Sequence, residues 1–182
     1  MSNAFFTADL HLGHKNLLSY EAANRPFKSI EEHDAELIRR WNARVGKRDV
    51  VWILGDFAWN VGACANALDR LTGRKRLILG DHDQRWFTPV DWSDDFELVS
   101  GCEKWKDGVV LTHMPVAFDG FKYTRNIHGH THSHMIYREI VDWDQRCTRE
   151  GEDEDPRYCC VSVEQTDLAP ISWDEIRSRK NW

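Results

Sequence analysis

Aspartate and histidine recur in this sequence in short clusters whose spacing suits metal binding: Asp9-Leu10-His11, Gly55-Asp56, Gly80-Asp81-His82-Asp83, His113 and Gly129-His130-Thr131-His132. In an extended segment residues i and i+2 point the same way, so Asp9 with His11, and His130 with His132, can each aim two ligands at one point. Gly55, Gly80 and Gly129 each stand directly before a candidate ligand, as expected where the backbone must turn sharply or approach a ligand closely. Carboxylates converging on one place repel one another unless cations neutralise them. Carboxylate oxygen mixed with imidazole nitrogen, with no cysteine in the clusters, suits a divalent cation, Mn²⁺ foremost and otherwise Fe, Zn²⁺ or Ni²⁺, rather than a cysteine-rich structural zinc site.

The elements that must position these residues can be read from hydrophobic pattern. Ala4 to Ala8 reads as a first strand, Val50 to Leu54 is a continuous apolar run typical of a strand buried on both faces, and Arg76 to Leu79 is a third short strand. Between them, Ser29 stands three before Glu32 as a capping box, Leu37, Ile38, Trp41 and Val45 share a helical face, and Ala63 to Leu71 has helical spacing. This is the β-α-β-α-β rhythm of an α/β domain, and every cluster falls just after a predicted strand, where α/β sheets gather ligands. Beyond Asp83 come closely spaced strand candidates at Phe96 to Ser100, Val109 to Thr112, Asn126 to His128, Met135 to Ile140 and Tyr158 to Val163, which predict a more antiparallel second half. The acidic stretch Thr148 to Pro156 reads as a solvated hairpin tip or loop, and Ser172 with Glu175 caps a short last helix.

The 182 residues fit one domain, expected to span 1–182, and the 41% hydrophobic and 30% charged composition is that of a folding chain. A net charge of -6 works against a long, sequence-independent grip on nucleic acid and favours a small phosphorylated substrate, a nucleotide among the candidates. Five cysteines without a CxxC pair predict reduced thiols and a cytoplasmic location. No apolar run approaches the roughly 20 residues needed to cross a bilayer, so no membrane partner is expected; the sequence is silent on oligomeric state.

The five clusters, in order, resemble the blocks of the calcineurin-like metallophosphoesterases: DxH, GD, GNH(D/E), a lone H and GHxH. The resemblance runs from Phe5 to about Glu175, and Asp9-Leu10-His11-Leu12-Gly13-His14-Lys15-Asn16 with Asn24-Arg25-Pro26-Phe27 is similar to a small bacterial and phage branch. It implies an α/β fold in four layers, a two-sheet β-sandwich flanked by helices, and a phosphoesterase that splits phosphodiester or phosphomonoester bonds with metal-activated hydroxide. It further implies one cation among Asp9, His11, Asp56 and His132 and a second among Asp56, Asp81, His113 and His130, with Asp56 bridging. His82 would serve the leaving oxygen, with Asp83 orienting its ring. Asp81 departs from the pattern, since that block normally carries asparagine. The additional anion should tighten the second cation but weaken the pull on a phosphate oxyanion.

Other residues admit a functional and a plainer reading. Arg25 could reach a phosphate or simply pair with a carboxylate, and His14 could contact substrate. Lys122 and Arg125 could overhang the same end as His113, Trp59 and Trp86 could stack on a nucleobase or simply pack, and His128 could support a ligand. His33 and His134 read as ordinary surface or core histidines. The rival functions are a non-catalytic metal-binding scaffold of the same fold and a nuclease acting on nucleic acid.

Overall fold

The computed structural model describes residues 2–87, 92–118, 122–142 and 147–179. Strands β1 (Ala4–Thr7), β2 (Val50–Leu54), β3 (Arg74–Ile78) and β4 (Phe96–Ser100) alternate with helices α1 (Leu17–Tyr20), α2 (Ile30–Arg44), α3 (Val61–Leu68) and α4 (Gln84–Phe87). Short strands follow: β5 (Cys102–Lys104), β6 (Val109–Thr112), β7 (Arg125–His128), β8 (Tyr137–Asp142), β9 (Cys147–Glu154), β10 (Tyr158–Cys160) and β11 (Ile171–Ser172). Helix α5 (Trp173–Ser178) comes last.

Helices α2, α3 and α5 begin where side chains satisfy their free N–H groups. Ser29 accepts the Glu32 N–H at the start of α2, and Ser172 and Glu175 form a reciprocal capping box on α5. Ile30, His33, Leu37, Ile38 and Trp41 make the buried face of α2, and the Trp41 indole N–H donates to the Thr72 carbonyl at 2.9 Å.

Two main sheets result. The first has the order β11-β1-β2-β3-β4, parallel from β1 to β4 with β11 antiparallel at the edge. The second has the order β10-β7-β6-β5, and β8 pairs with β9 in a separate two-stranded ribbon. The second half is less antiparallel than its closely spaced strands predict: β6 runs parallel to β7 and β7 to β10, and only the β5–β6 pair of that sheet is antiparallel. The connection from Thr112 to Arg125 has the dozen or so residues that a parallel crossover needs. The acidic stretch also differs from its expectation, because Cys147–Glu154 is strand β9 rather than a loop; residues 143–146 fall outside the described residues.

Alternation along the strands splits the core in two. Val51, Ile53 and Leu77 point to one face of the first sheet and pack with Leu37, Ile38 and Trp41 of α2 and Cys64 and Ala67 of α3. Phe6, Trp52, Leu54 and Ile78 point to the other face and join Leu111, Ile127, Cys159 and Val161, which ties the two sheets together. No helix among the described residues is long and apolar enough to cross a membrane.

Trp41 is 1% exposed and anchors α2 to the first sheet. Its replacement in Trp41→Ala is expected to cost about 3–5 kcal/mol through lost burial and an unfilled cavity. Urea unfolding monitored by circular dichroism measures this; a loss under about 1 kcal/mol would show that α2 is not held by this contact.

Candidate metal centre

The parallel strands β1, β2 and β3 deliver Asp9, Asp56 and Asp81 to one edge, and β6 and β7 deliver His113 and His130 to the same place. The loops that follow are stitched by main-chain bonds: Asp9 N–H to the Gly55 carbonyl (3.0 Å), His11 N–H to the Asp56 carbonyl (2.9 Å) and Gly129 N–H to the His113 carbonyl (2.9 Å). Gly55 has φ +88° and lies so close to His113 that a Cβ there would sit 2.3 Å from Nδ1. At Gly129 a Cβ would lie 2.6 Å from the Asp9 carboxylate, so a side chain at either position would push a ligand out of place.

Backbone conformation explains how the ligands converge, and not as strand alternation predicts. Asp9, His11, Asp56, His130 and His132 all have left-handed φ, between 48° and 68°. For residues other than glycine this costs about 1–3 kcal/mol each and persists only where surrounding structure enforces it. The Asp9/His11 and His130/His132 pairs therefore converge through sharply coiled loops instead of extended segments.

The side chains form two adjoining groups. Asp9, His11 and His132 make one, and Asp81, His113 and His130 make the other, with the ligand atoms of each group lying within 4.8 Å of one another. Asp56 stands between them: its Oδ2 is 3.4 Å from His11 Nε2 and its Oδ1 is 3.7 Å from His113 Nε2. In the second group Asp81 Oδ1 lies 3.0 Å from His113 Nε2 and 3.4 Å from His130 Nδ1, and the two ring nitrogens are 3.2 Å apart. In the first group the buried Asp9 Oδ1 and both His11 nitrogens have no hydrogen-bond partner. Buried polar atoms are rarely left so, and a divalent cation of mixed oxygen and nitrogen ligation fits both groups.

Electrostatics point the same way. Burial raises Asp56 to about 7, and the nearby Asp9 and Asp83 charges add to this while His113 opposes it. Burial acts against the charged ring of His113, yet the Asp9 and Asp56 carboxylates, the Leu54 carbonyl and Asp81 together raise it. His11 is pushed far down, first by burial and then by Arg25 and the surrounding histidines, so its ring is neutral and its lone pair is available.

The remaining sequence candidates fall into different roles. His82 lies at the rim, with Nε2 3.5 Å from Asp81 Oδ2 and 4.0 Å from Asp56 Oδ2. Asp83 does not orient its ring: the Asp83 carboxylate accepts the N–H groups of Asp56, Phe57 and Gly80 and the Trp86 indole N–H, at 2.8–3.1 Å. It clamps the loops that carry Asp56 and Asp81. His14 is buried and stacks on Trp59 with ring centroids 3.6 Å apart, and burial, followed by the His82 charge, lowers it to about 4.

Arg25 is not exposed for a phosphate. It is fully buried and donates to the carbonyls of Asp9 and Leu10 and to Glu164. Trp86 packs among Phe57, Trp92 and Phe96 and is no wall of the site. Arg125 pairs with Val109 at the start of β7, the end away from His130, so Arg125 does not overhang the centre. His128 is buried with Nδ1 against the Gly129 carbonyl at 2.7 Å. His33 is buried too, between Arg25 and Asp34.

Two residues of the site carry no warning in the motif reading. Ser162 donates to Asp9 Oδ2 at 2.6 Å, and Glu164 accepts from His132 Nδ1 at 2.8 Å. Both follow strand β10, so the same strand-end rule that marks the other clusters could have singled them out.

No protein-family model matches the chain. The gene 66 protein of Mycobacterium phage L5 is 37% identical over 174 residues, covering 75% of this chain and 80% of that protein. Its counterpart in Mycobacterium phage D29 is 34% identical over 215 residues, covering 100% of this chain and 97% of that protein. The crystal structure of AQ665, a protein of unknown function from Aquifex aeolicus, shares the fold, with a TM-score of 0.72 over 97% of this chain and 98% of that one at 22% identity. Nuclease MPE of Pseudomonas putida reaches a TM-score of 0.47 at 24% identity, over 71% of this chain and 60% of that one, a likeness too slight to bear on function.

Because Asp56 is raised above its unfolded value, metal-free protein loses its contribution as pH climbs from about 4 to about 7. Asp56→Asn, which cannot ionise, should therefore gain stability relative to wild type across that window in the presence of a chelator, then level off. Urea midpoints at pH 4, 6 and 8 measure the difference; a gap independent of pH would show that Asp56 ionises freely.

Proposed function

We propose that this chain, which belongs to the family of the gene 66 proteins of mycobacteriophages L5 and D29, is a binuclear metal-dependent phosphoesterase acting on small phosphodiesters or phosphomonoesters. The observation that carries the reading is the placement of Asp56 between two groups of three ligands, with Asp9 Oδ1 and the His11 nitrogens buried and unpartnered. The resemblance to calcineurin-like metallophosphoesterases, including their four-layer sandwich, supplies the reaction class. Two divalent cations, Mn²⁺ foremost, would acidify a water and stabilise the phosphoryl oxygens as they gain charge.

The protein's own groups do the rest. Asp9, His11 and His132 hold one side, Asp81, His113 and His130 hold the other, and Asp56 keeps the two sides at a fixed separation. The His113 ring is set by its Nδ1–H donating to the Leu54 carbonyl at 2.8 Å, which leaves Nε2 as the ligand atom. His82, about one-third exposed beside Asp81, would give a proton to the leaving oxygen. Asp83 and Arg25 act behind the ligands, fixing the loops that present them. The net charge of -6 favours a compact phosphate ester over a polymer held along its backbone, and a cytoplasmic setting suits the free thiols of Cys64, Cys102, Cys159 and Cys160.

With manganese present, wild type is expected to hydrolyse bis(p-nitrophenyl) phosphate, and His113→Ala to lower kcat/KM at least about 100-fold by removing a ligand. Turnover untouched by His113→Ala would end the proposal. Asp81→Asn keeps an oxygen near His113 and His130 while deleting one negative charge, so it should hydrolyse the same ester as fast as wild type or severalfold faster, with weaker manganese affinity. A much slower Asn variant would show that the charge is needed for turnover.

A further inference from the structure

We infer that Glu164 is a positioning residue that locks His132 in one tautomer and gives the Asp9/His11/His132 half of the centre a cation affinity separate from that of the other half. The inference rests on cation binding by the centre, as proposed above, and not on hydrolysis.

Glu164 lies in the turn after β10, its side chain has no exposed surface, and its Oε1 is 2.8 Å from His132 Nδ1. The same oxygen takes the Arg25 Nε–H at 2.8 Å and lies 2.6 Å from Arg25 Nη2. Arginine stays charged in proteins, so the carboxylate beside it is held as an anion and can only accept. His132 Nδ1 must therefore carry the proton. In a neutral ring the lone pair is then on Nε2, which lies 3.9 Å from Asp9 Oδ1, an oxygen that is itself unpartnered. A carboxylate behind a ligating histidine fixes its orientation and raises its basicity, and losing such a partner typically costs 10–100-fold in metal affinity.

The two halves differ in this respect. His113 in the other half is oriented by a neutral acceptor, the Leu54 carbonyl, whereas His132 is backed by a full buried charge. Charge-assisted bonds are roughly twice as strong as neutral ones. Arg25 extends the device: while its Nε and Nη2 face Glu164, its guanidinium also donates to the Asp9 and Leu10 carbonyls. One buried ion pair thus holds both the His132 ring and the left-handed Asp9 backbone, two parts of the same half.

Calorimetric titration of full-length Glu164→Gln with Mn²⁺ alone reads this out. The glutamine keeps the shape and an accepting oxygen but not the charge. Wild type is expected to show two binding events and Glu164→Gln to weaken one of them 10–100-fold while the other stays within about twofold; Glu164→Asp, which restores the charge, should recover part of the loss. Unchanged affinities, or an equal fall in both, would overturn the inference while leaving the centre intact. Absence of any manganese binding by wild type would overturn it together with the metal-centre reading. Since removing a buried charge can unfold a protein, ¹⁵N spectra of the wild-type imidazoles with Zn²⁺ bound give a second test: His132 should carry its proton on Nδ1, and a proton on Nε2 would refute the assignment.

Discussion

Charge crowding at Asp9 and Asp56 is the constraint around which the molecule is organised. Both are essentially buried, the charge of one raises the other, and the polar atoms nearest them include several without partners. An interior of low dielectric makes such an arrangement costly without positive charge inside it. The left-handed backbone at five of the seven candidate ligands adds a further cost that tight packing must offset.

That offset comes from groups behind the ligands. Asp83 gathers three donors from the loops after β2 and β3 and a fourth, the Trp86 indole N–H, from α4; Arg25 ties the loop after β1 to the turn that bears Glu164, and Ser162 pins Asp9. Each lies one layer away from where a substrate would sit. The site is thus a thin skin of ligands on a dense polar scaffold, and the scaffold in turn rests on two hydrophobic clusters that share the first sheet.

Much of this was legible in the residues. Continuous apolar runs located β2, capping pairs located the starts of α2 and α5, and the Asp, His and Gly clusters placed at strand ends marked the seven side chains that the structure brings together. What was not legible depended on direction. Arg25 and Trp86 stand next to motif residues, yet one turns inward to carbonyls and the other into the core. Asp83 looked like a partner for its neighbour His82 because adjacency in sequence is visible, whereas the N–H groups of Asp56, Phe57 and Gly80 that take it up are brought near only by folding. Glu164 escaped notice for the same reason: its partner His132 belongs to a separate strand end. The parallel second sheet was hidden because strand spacing alone does not distinguish a hairpin from a crossover.

The candidate ligands come from both sheets, with Asp9, His11, Asp56 and Asp81 following strands of the first and His113, His130 and His132 following strands of the second. A pair of cations lodged among them would act as a rivet across the seam. Anything that binds the native state and not the unfolded chain adds to stability in proportion to the logarithm of its concentration. Depletion of cations would then loosen the join between the sheets, coupling the mechanical integrity of this fold to the ionic composition around it.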